Sequence, residues 1–328
     1  MSLINLKDLL ADARKKKYAV GAFAITNLDF IDAILDVTLE KKSPVILLLA
    51  EAHFKYLRLE KVAPLLIEAA ENINIPVCIC LDHGQNFESV MRAIRAGFTS
   101  VMFDGSKHSL EENIKLTREI TAIAHSVDVS VEAELGYIGG ESVGEVMKKS
   151  SIEDKSLFTS VEDALKFQNS TDVDALAVAI GNLHGLYSGE PELDFIRLDE
   201  LNNALDIPLV LHGGSGLTDN DYKKAISLGI CKVNYYTDMS VAAVNAARDC
   251  LKSNPDFGSY PDLVKESMAI VKDLLRERFD VFGCTGQCSG QNTLCLSNFH
   301  EEEEILNENN YKKLVNNIAE EVIRKIKE

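Results

Sequence analysis

The sequence predicts an α/β protein, a (β/α)8 TIM barrel with extra C-terminal helices. Three observations lead there. Eight apolar, β-rich runs recur along most of the 328 residues, and most are followed by an amphipathic helical stretch. The runs are almost continuously hydrophobic, as suits parallel strands covered on both faces. Three of the seven histidines close such runs in the same way, as His-Gly.

The predicted strands, in order, are Tyr18–Ile25, Pro44–Ala50, Val77–Gly84, Ser100–Ser106, Ser130–Gly136, Ala175–Gly181, Pro208–Gly213 and Cys231–Thr237. Amphipathic stretches between them include Asn27–Glu40, Leu110–Ser126, Asp219–Leu228 and Met239–Lys252. A doubly wound open sheet is the alternative, but the glycine-rich dinucleotide turn expected after its first strand is absent. Tyr137–Ser160 is polar, holds Gly139-Gly140 and Lys148-Lys149, and follows the fifth strand, so it reads as a long loop over the barrel mouth. Pro261–Phe279 and Asn310–Ile326 read as further helices. The expected division is a barrel over 1–283 and, over 284–328, a cysteine-containing connector with a C-terminal helix packed on the barrel or on a partner subunit.

Composition bounds the function. Apolar residues make up 46% of the chain, enough for a sizeable core. A net charge of −17 argues against nucleic acid and anionic membrane partners. No apolar run is long enough to span a bilayer, and the N-terminus lacks the charged-then-apolar pattern of a secretion signal. Seven cysteines, an odd number, fit reduced thiols in a cytoplasmic protein.

In such a barrel, functional groups gather at the C-terminal ends of strands. Those ends carry Asp82 and His83, Asp104, Glu134, His184, His212, and Asn234 with Thr237. A lone buried histidine is more often satisfied by a backbone carbonyl than by a metal. Three at equivalent places reverse that balance, because three imidazoles and an open position make a catalytic zinc site. Gly213-Gly214-Ser215-Gly216 and Asn234–Thr237 each lead into a helix, so their backbone amides and hydroxyls can cradle a phosphate. For Asp104 alone, capping of the next helix weighs equally.

Leu81-Asp82-His83-Gly84, Glu132-Ala133-Glu134-Leu135-Gly136, His184-Gly185-Leu186-Tyr187 and Leu211-His212-Gly213-Gly214-Ser215-Gly216 resemble the class II, zinc-dependent fructose- and tagatose-bisphosphate aldolases. So does the opening Tyr18-Ala19-Val20-Gly21-Ala22-Phe23, and the likeness runs from about residue 3 to about 280. The resemblance implies that His83, His184 and His212 hold catalytic Zn²⁺. It implies that Asp82 shuttles the proton on the hydroxyl whose carbon–carbon bond breaks, releasing dihydroxyacetone phosphate and an aldehyde through a zinc-stabilised enediolate. Glu134 and Asp104 would serve a second divalent ion or an alternative metal position. Gly185, Gly213, Gly214, Ser215, Asn234 and Thr237 would bind substrate and its phosphate, with a monovalent cation on nearby carbonyls. A homodimer or homotetramer is the implied assembly.

The chain departs from the family pattern at five positions. Where a catalytic glutamate is usual in the mobile loop, alignment gives Ser142, leaving Glu141 (or Glu145) to act as base. Ala24 replaces a usual asparagine and Ala50 a usual serine or threonine, each deleting a substrate partner worth about 1–3 kcal/mol. Tyr236 narrows the expected phosphate turn. Ser188 stands where many fructose-specific members carry lysine, which resembles the tagatose-type members. The altered positions keep open a non-catalytic or altered-substrate relative that retains the metal site, and an isomerase or epimerase that breaks no carbon–carbon bond. Cys284, Cys288, Cys295 and His300 fit no zinc spacing well and read as ordinary thiols in a loop.

Overall fold

A computed structural model describes residues 2–139, 154–185, 187, 189 and 191–289. Eight strands form one closed, all-parallel barrel in sequential order: β1 Val20–Ala24, β2 Val45–Ala50, β3 Val77–Gly84, β4 Ser100–Phe103, β5 Ser130–Leu135, β6 Ala175–Val178, β7 Leu209–Leu211 and β8 Ile230–Tyr235. Pairing of β1 with β8, from Val20 opposite Lys232 to Phe23 opposite Tyr235, closes the ring.

The sequence dictates this layering. A β-branched or leucine-rich strand such as Val45–Ala50 is buried along its whole length, which only a sheet covered on both faces allows. The covering helices are α1 Leu6–Lys16, α2 Leu28–Lys41, α3 Leu59–Glu71, α4 Phe87–Arg95, α5 Leu110–His125, α6 Val161–Thr171, α7 Phe195–Ala204, α8 Asp219–Ser227, α9 Thr237–Ser253 and α10 Tyr260–Val281. Most open on a side-chain cap. Asn27, Asn86, Ser109, Ser160 and Thr218 each accept an early backbone N–H of the helix that follows. α9 is an exception, since Tyr236 supplies no side-chain cap there. α10 packs on α9 and α2, and its end seals the barrel wall through Phe279 and Phe282 against Phe23, Tyr235 and Tyr222.

The predicted strands all form, with ends trimmed where residues leave the ladder to turn into the barrel mouth. The fourth stops at Phe103 rather than Ser106, because the Asp104 carboxylate accepts the Ser106 N–H and hydroxyl and bends the chain. Asp104 does not cap α5; Ser109 does. Within the predicted loop, Lys155–Leu157 is a short 3-10 turn and α6 starts at Val161. Past α10 the chain returns to α2, where Gly286 and Cys288 donate to the Lys41 and Lys42 carbonyls, and Cys284 is buried. Gly140, Glu141, Ser142, Glu145, the lysine pair, Ser188, Cys295, His300 and Asn310–Ile326 lie outside the described residues. Among the described residues, no helix is long and apolar enough to cross a membrane.

Candidate active site

Side chains alternate between faces along a regular strand, so neighbours cannot both face the mouth. β3 breaks that rule. Its register against β4 shifts between Leu81 and Gly84, and His83 takes φ +48°, which costs a non-glycine residue about 1–3 kcal/mol. Asp82 and His83 consequently line the same pocket. His184 is placed by its own N–H bonding the Gly139 carbonyl. His212 is placed through Asn182, whose side chain donates to the His212 carbonyl and accepts the Ile180 N–H.

The three imidazoles converge. His83 Nε2 lies 3.2 Å from His184 Nε2 and 3.1 Å from His212 Nδ1. In the His83 and His212 rings the other nitrogen is tied to an acceptor. His83 Nδ1 is 3.1 Å from Asp104 Oδ2, and His212 Nε2 is 2.9 Å from Glu132 Oε1. His184 hydrogen-bonds the Ile138 backbone. An N–H on each outward nitrogen leaves a lone pair on each inward one. Nitrogens on a tetrahedral zinc ion at about 2.0–2.1 Å stand about 3.4 Å apart, so the donor set fits such an ion. The outer acceptors supply the orienting contacts that metal-bound histidines require.

Electrostatics favour a cation at the same point. Burial lowers the His83 pKa, but the Asp82, Asp104 and Glu134 carboxylates outweigh it and raise it to about 10. Burial, and then charge on His83, pushes His184 and His212 well below the ordinary range. Burial and Asp104 push Glu134 up to about 8. Its Oε2 lies 3.6 Å from His212 Nδ1 and has no hydrogen-bond partner among the described residues. Behind His212, Glu132 also pairs with Lys232, whose Nζ is 2.7 and 3.0 Å from its two oxygens. Both side chains are 0% exposed.

The pocket runs around the mouth from β6 through β7, β8, β1 and β2 to β3. At one end Gly213, Gly214 and Ser215 face Asn234 and Thr237. Tyr187 braces this corner, its hydroxyl accepting the Leu183 N–H and donating to the Gly213 carbonyl. Asp238 ties the two turns, accepting the Gly216 N–H while its own N–H donates to Ser215 Oγ. First-turn amides of a helix have no intrahelical acceptor; in α9 the Asp238 N–H is taken by Ser215 Oγ, and Tyr236 caps none of the others. Asn234 Nδ2 donates to Asp82 Oδ1 at 2.8 Å.

The sequence matches the family described as fructose-bisphosphate aldolase class-II over residues 4–287. The chain belongs to that family. A D-tagatose-1,6-bisphosphate aldolase subunit GatY of Klebsiella oxytoca is 37% identical over 289 residues, covering 88% of this chain and all of the relative. A probable fructose-bisphosphate aldolase of Bacillus subtilis is 37% identical over 290 residues, with the same coverage. Among solved structures, the YdjI aldolase of Escherichia coli K12 superposes with a TM-score of 0.77 at 34% identity, covering 88% of this chain and 100% of that one.

In this class II aldolase, the structure brings together Asp82, His83, Asp104, Glu134, His184 and His212 in one centre. It sets Gly185, Gly213, Gly214, Ser215, Asn234 and Thr237 along the adjoining pocket. Glu141 falls outside the described residues. Asp104 is fully engaged, one oxygen with His83 and Gln85 and the other with Ser106. Sequence reasoning gave no role to Glu132, Lys232, Asn182 or His53. The first three had a readable signal, each being a polar residue inside or closing an apolar run. His53 had none, since Glu51-Ala52-His53 reads as a surface turn.

Proposed function

We propose that the enzyme is a zinc-dependent aldolase that reversibly cleaves a phosphorylated ketose into dihydroxyacetone phosphate and an aldehyde. The observation that carries this reading is the convergence of three imidazoles, with His83 Nε2 3.2 and 3.1 Å from nitrogens of His184 and His212, and with the His83 and His212 rings tied from behind by Asp104 and Glu132. Held by His83, His184 and His212, a zinc ion would supply Lewis-acid stabilisation of the negative charge left on the ketone half as the carbon–carbon bond breaks, and as its C–H proton leaves in the condensation direction.

The chain's own residues do the rest. Asp82, steadied on Oδ1 by Asn234, takes the proton from the hydroxyl on the carbon whose bond breaks, and returns it in the condensation direction. Glu141, with Glu145 as the alternative, serves the loop as base in place of Ser142. The phosphate rests on the turns after β7 and β8, with Gly213, Gly214, Ser215, Asn234, Thr237 and Gly185 around it and the amino end of α9 beneath it. Glu134 offers an unpartnered oxygen to a second divalent ion, with Asp104 beside it, and backbone carbonyls nearby hold a monovalent cation. The reading includes a cytoplasmic homodimer or homotetramer, with residues 284–328 packed on the barrel or on the partner.

The test is zinc content together with a coupled assay for dihydroxyacetone phosphate on fructose 1,6-bisphosphate, tagatose 1,6-bisphosphate and fructose 1-phosphate. Stoichiometric zinc with triose release from at least one sugar is the expected result. Zinc-loaded protein that releases no triose from any of them would sink the aldolase reading.

A further inference from the structure

His53 closes the short 3-10 turn Glu51–His53 after β2 and lines the candidate pocket at 1% exposure. Among the described residues neither ring nitrogen has a hydrogen-bond partner. The Ile25 backbone reaches toward the ring as a hydrogen-bonding group, but its geometry satisfies neither nitrogen. Leaving a buried polar group unpaired costs about 1–3 kcal/mol, so such a group calls for a partner that arrives from the pocket. The ring is also held in place. Tyr236 packs on it with centroids 4.8 Å apart, and Tyr56 flanks it at 6.3 Å.

Position in the ring of strands says which part of a ligand meets it. Under the aldolase reading, on which this inference rests, phosphate occupies the β7 and β8 turns and the reacting carbons sit by Asp82 and the three histidines. The wall left for the aldehyde-derived half is that of β1 and β2: Ala24, Leu48, Ala50 and His53. Among the described residues its only polar side chain is His53. At Ala24 and Ala50, where the resembled family carries hydrogen-bonding residues, this chain offers methyl groups.

We propose that His53 is a specificity-determining residue that recognises an uncharged hydroxyl on the aldehyde-derived half of the ketose. A neutral imidazole offers one donor and one acceptor, which matches a hydroxyl's own pair. A phosphate fits this wall poorly. Among the described residues no lysine or arginine lines the pocket, the neighbouring walls are apolar, and Asp82 contributes negative charge at the ring. Burial keeps the ring in its neutral form, lowering its pKa against the pull of Asp82. The substrate class that follows is a ketose phosphorylated on the dihydroxyacetone end and hydroxylated, not phosphorylated, at the position His53 reads.

Two variants of the zinc-loaded enzyme separate recognition from packing. His53→Phe keeps a ring against Tyr236 and removes both polar atoms; His53→Gln restores a donor and an acceptor. Each is assayed for condensation of dihydroxyacetone phosphate with glyceraldehyde, glyceraldehyde 3-phosphate and propionaldehyde, and for solvent-deuterium exchange into dihydroxyacetone phosphate alone. The wild type should favour glyceraldehyde over both other aldehydes. His53→Phe should cut kcat/KM for glyceraldehyde about 10–100-fold while propionaldehyde and the exchange reaction shift little, and His53→Gln should recover most of the loss. Equal losses on glyceraldehyde and propionaldehyde, or a loss concentrated on glyceraldehyde 3-phosphate, would overturn the assignment while leaving the aldolase reading intact. No exchange by the wild type would refute the aldolase reading, and this inference with it.

Discussion

Lys232→Met tests whether the Glu132–Lys232 pair is what holds His212 and the barrel centre together. The two charges are 0% exposed and 2.7 Å apart at their closest approach. At an effective dielectric of about 20, Coulomb attraction at that distance is about 6 kcal/mol. Much of it offsets the desolvation of both groups, but removing one partner leaves the other buried and uncompensated, a loss of about 3–5 kcal/mol. Against a total stability of about 5–15 kcal/mol, that is a large fraction. The assay is urea unfolding of zinc-free protein, so that metal binding does not mask the change. Glu132→Gln/Lys232→Met removes both charges, keeps an oxygen for His212, and should recover most of the loss. Glu132→Leu/Lys232→Met removes the acceptor as well and should weaken zinc binding about 10–100-fold. A single variant within about 1 kcal/mol of wild type, against the expected loss, would refute the charge-compensation argument. Unchanged zinc affinity in the Leu/Met variant would refute the tether.

Three further outcomes are expected. On the proposed reading, in which the carboxylate moves a proton and the three histidines hold the metal, Asp82→Ala should retain stoichiometric zinc and lose about 10²–10⁴ in kcat; loss of zinc by metal analysis would contradict the role. Gly213→Ala should lower the urea midpoint by more than about 1–3 kcal/mol in equivalent stability, since Gly213 has φ +61° and a Cβ there would run into the Leu183 carbonyl; an unchanged midpoint would show that the turn relaxes freely. Metal-free His83, with its pKa raised from 6.5 to about 10, lends folding stability below about pH 6.5 that disappears as pH rises through about 10. Zinc must displace that proton, so affinity should rise across this window. Calorimetry at pH 7.5 in buffers of different ionisation enthalpy should show at least one proton released per zinc, and zero release would contradict the assignment.

The barrel was legible because a buried parallel strand has to be apolar throughout, and runs such as Val45–Ala50 admit no other easy reading. The histidines were legible because each closes such a run. Glu132 and Lys232 were harder. Both sit inside strands, and only their meeting across the barrel interior, from β5 and β8, explains why a charge is tolerated in either place. Asp104 was read as a metal or capping residue; Ser109 caps α5 instead, while the Asp104 carboxylate stands beside Glu134 and engages His83 Nδ1 and the Ser106 turn. His53 was invisible because its burial comes from Tyr236, a residue brought beside it only by barrel closure.

The irregular end of β3 also bears on how such a centre can be transplanted. Asp82 and His83 work side by side only because the shift at Leu81–Gly84 and the left-handed backbone at His83 suspend strand alternation. An Asp-His pair grafted onto a regular barrel strand would send one member into the mouth and the other into the helix layer. A designer who wants both must carry over the backbone defect with the sequence and accept its strain. Glycine at position 83 would relieve the strain and remove the imidazole, so conformational ease and the ring that faces the other two histidines exclude one another at this single residue.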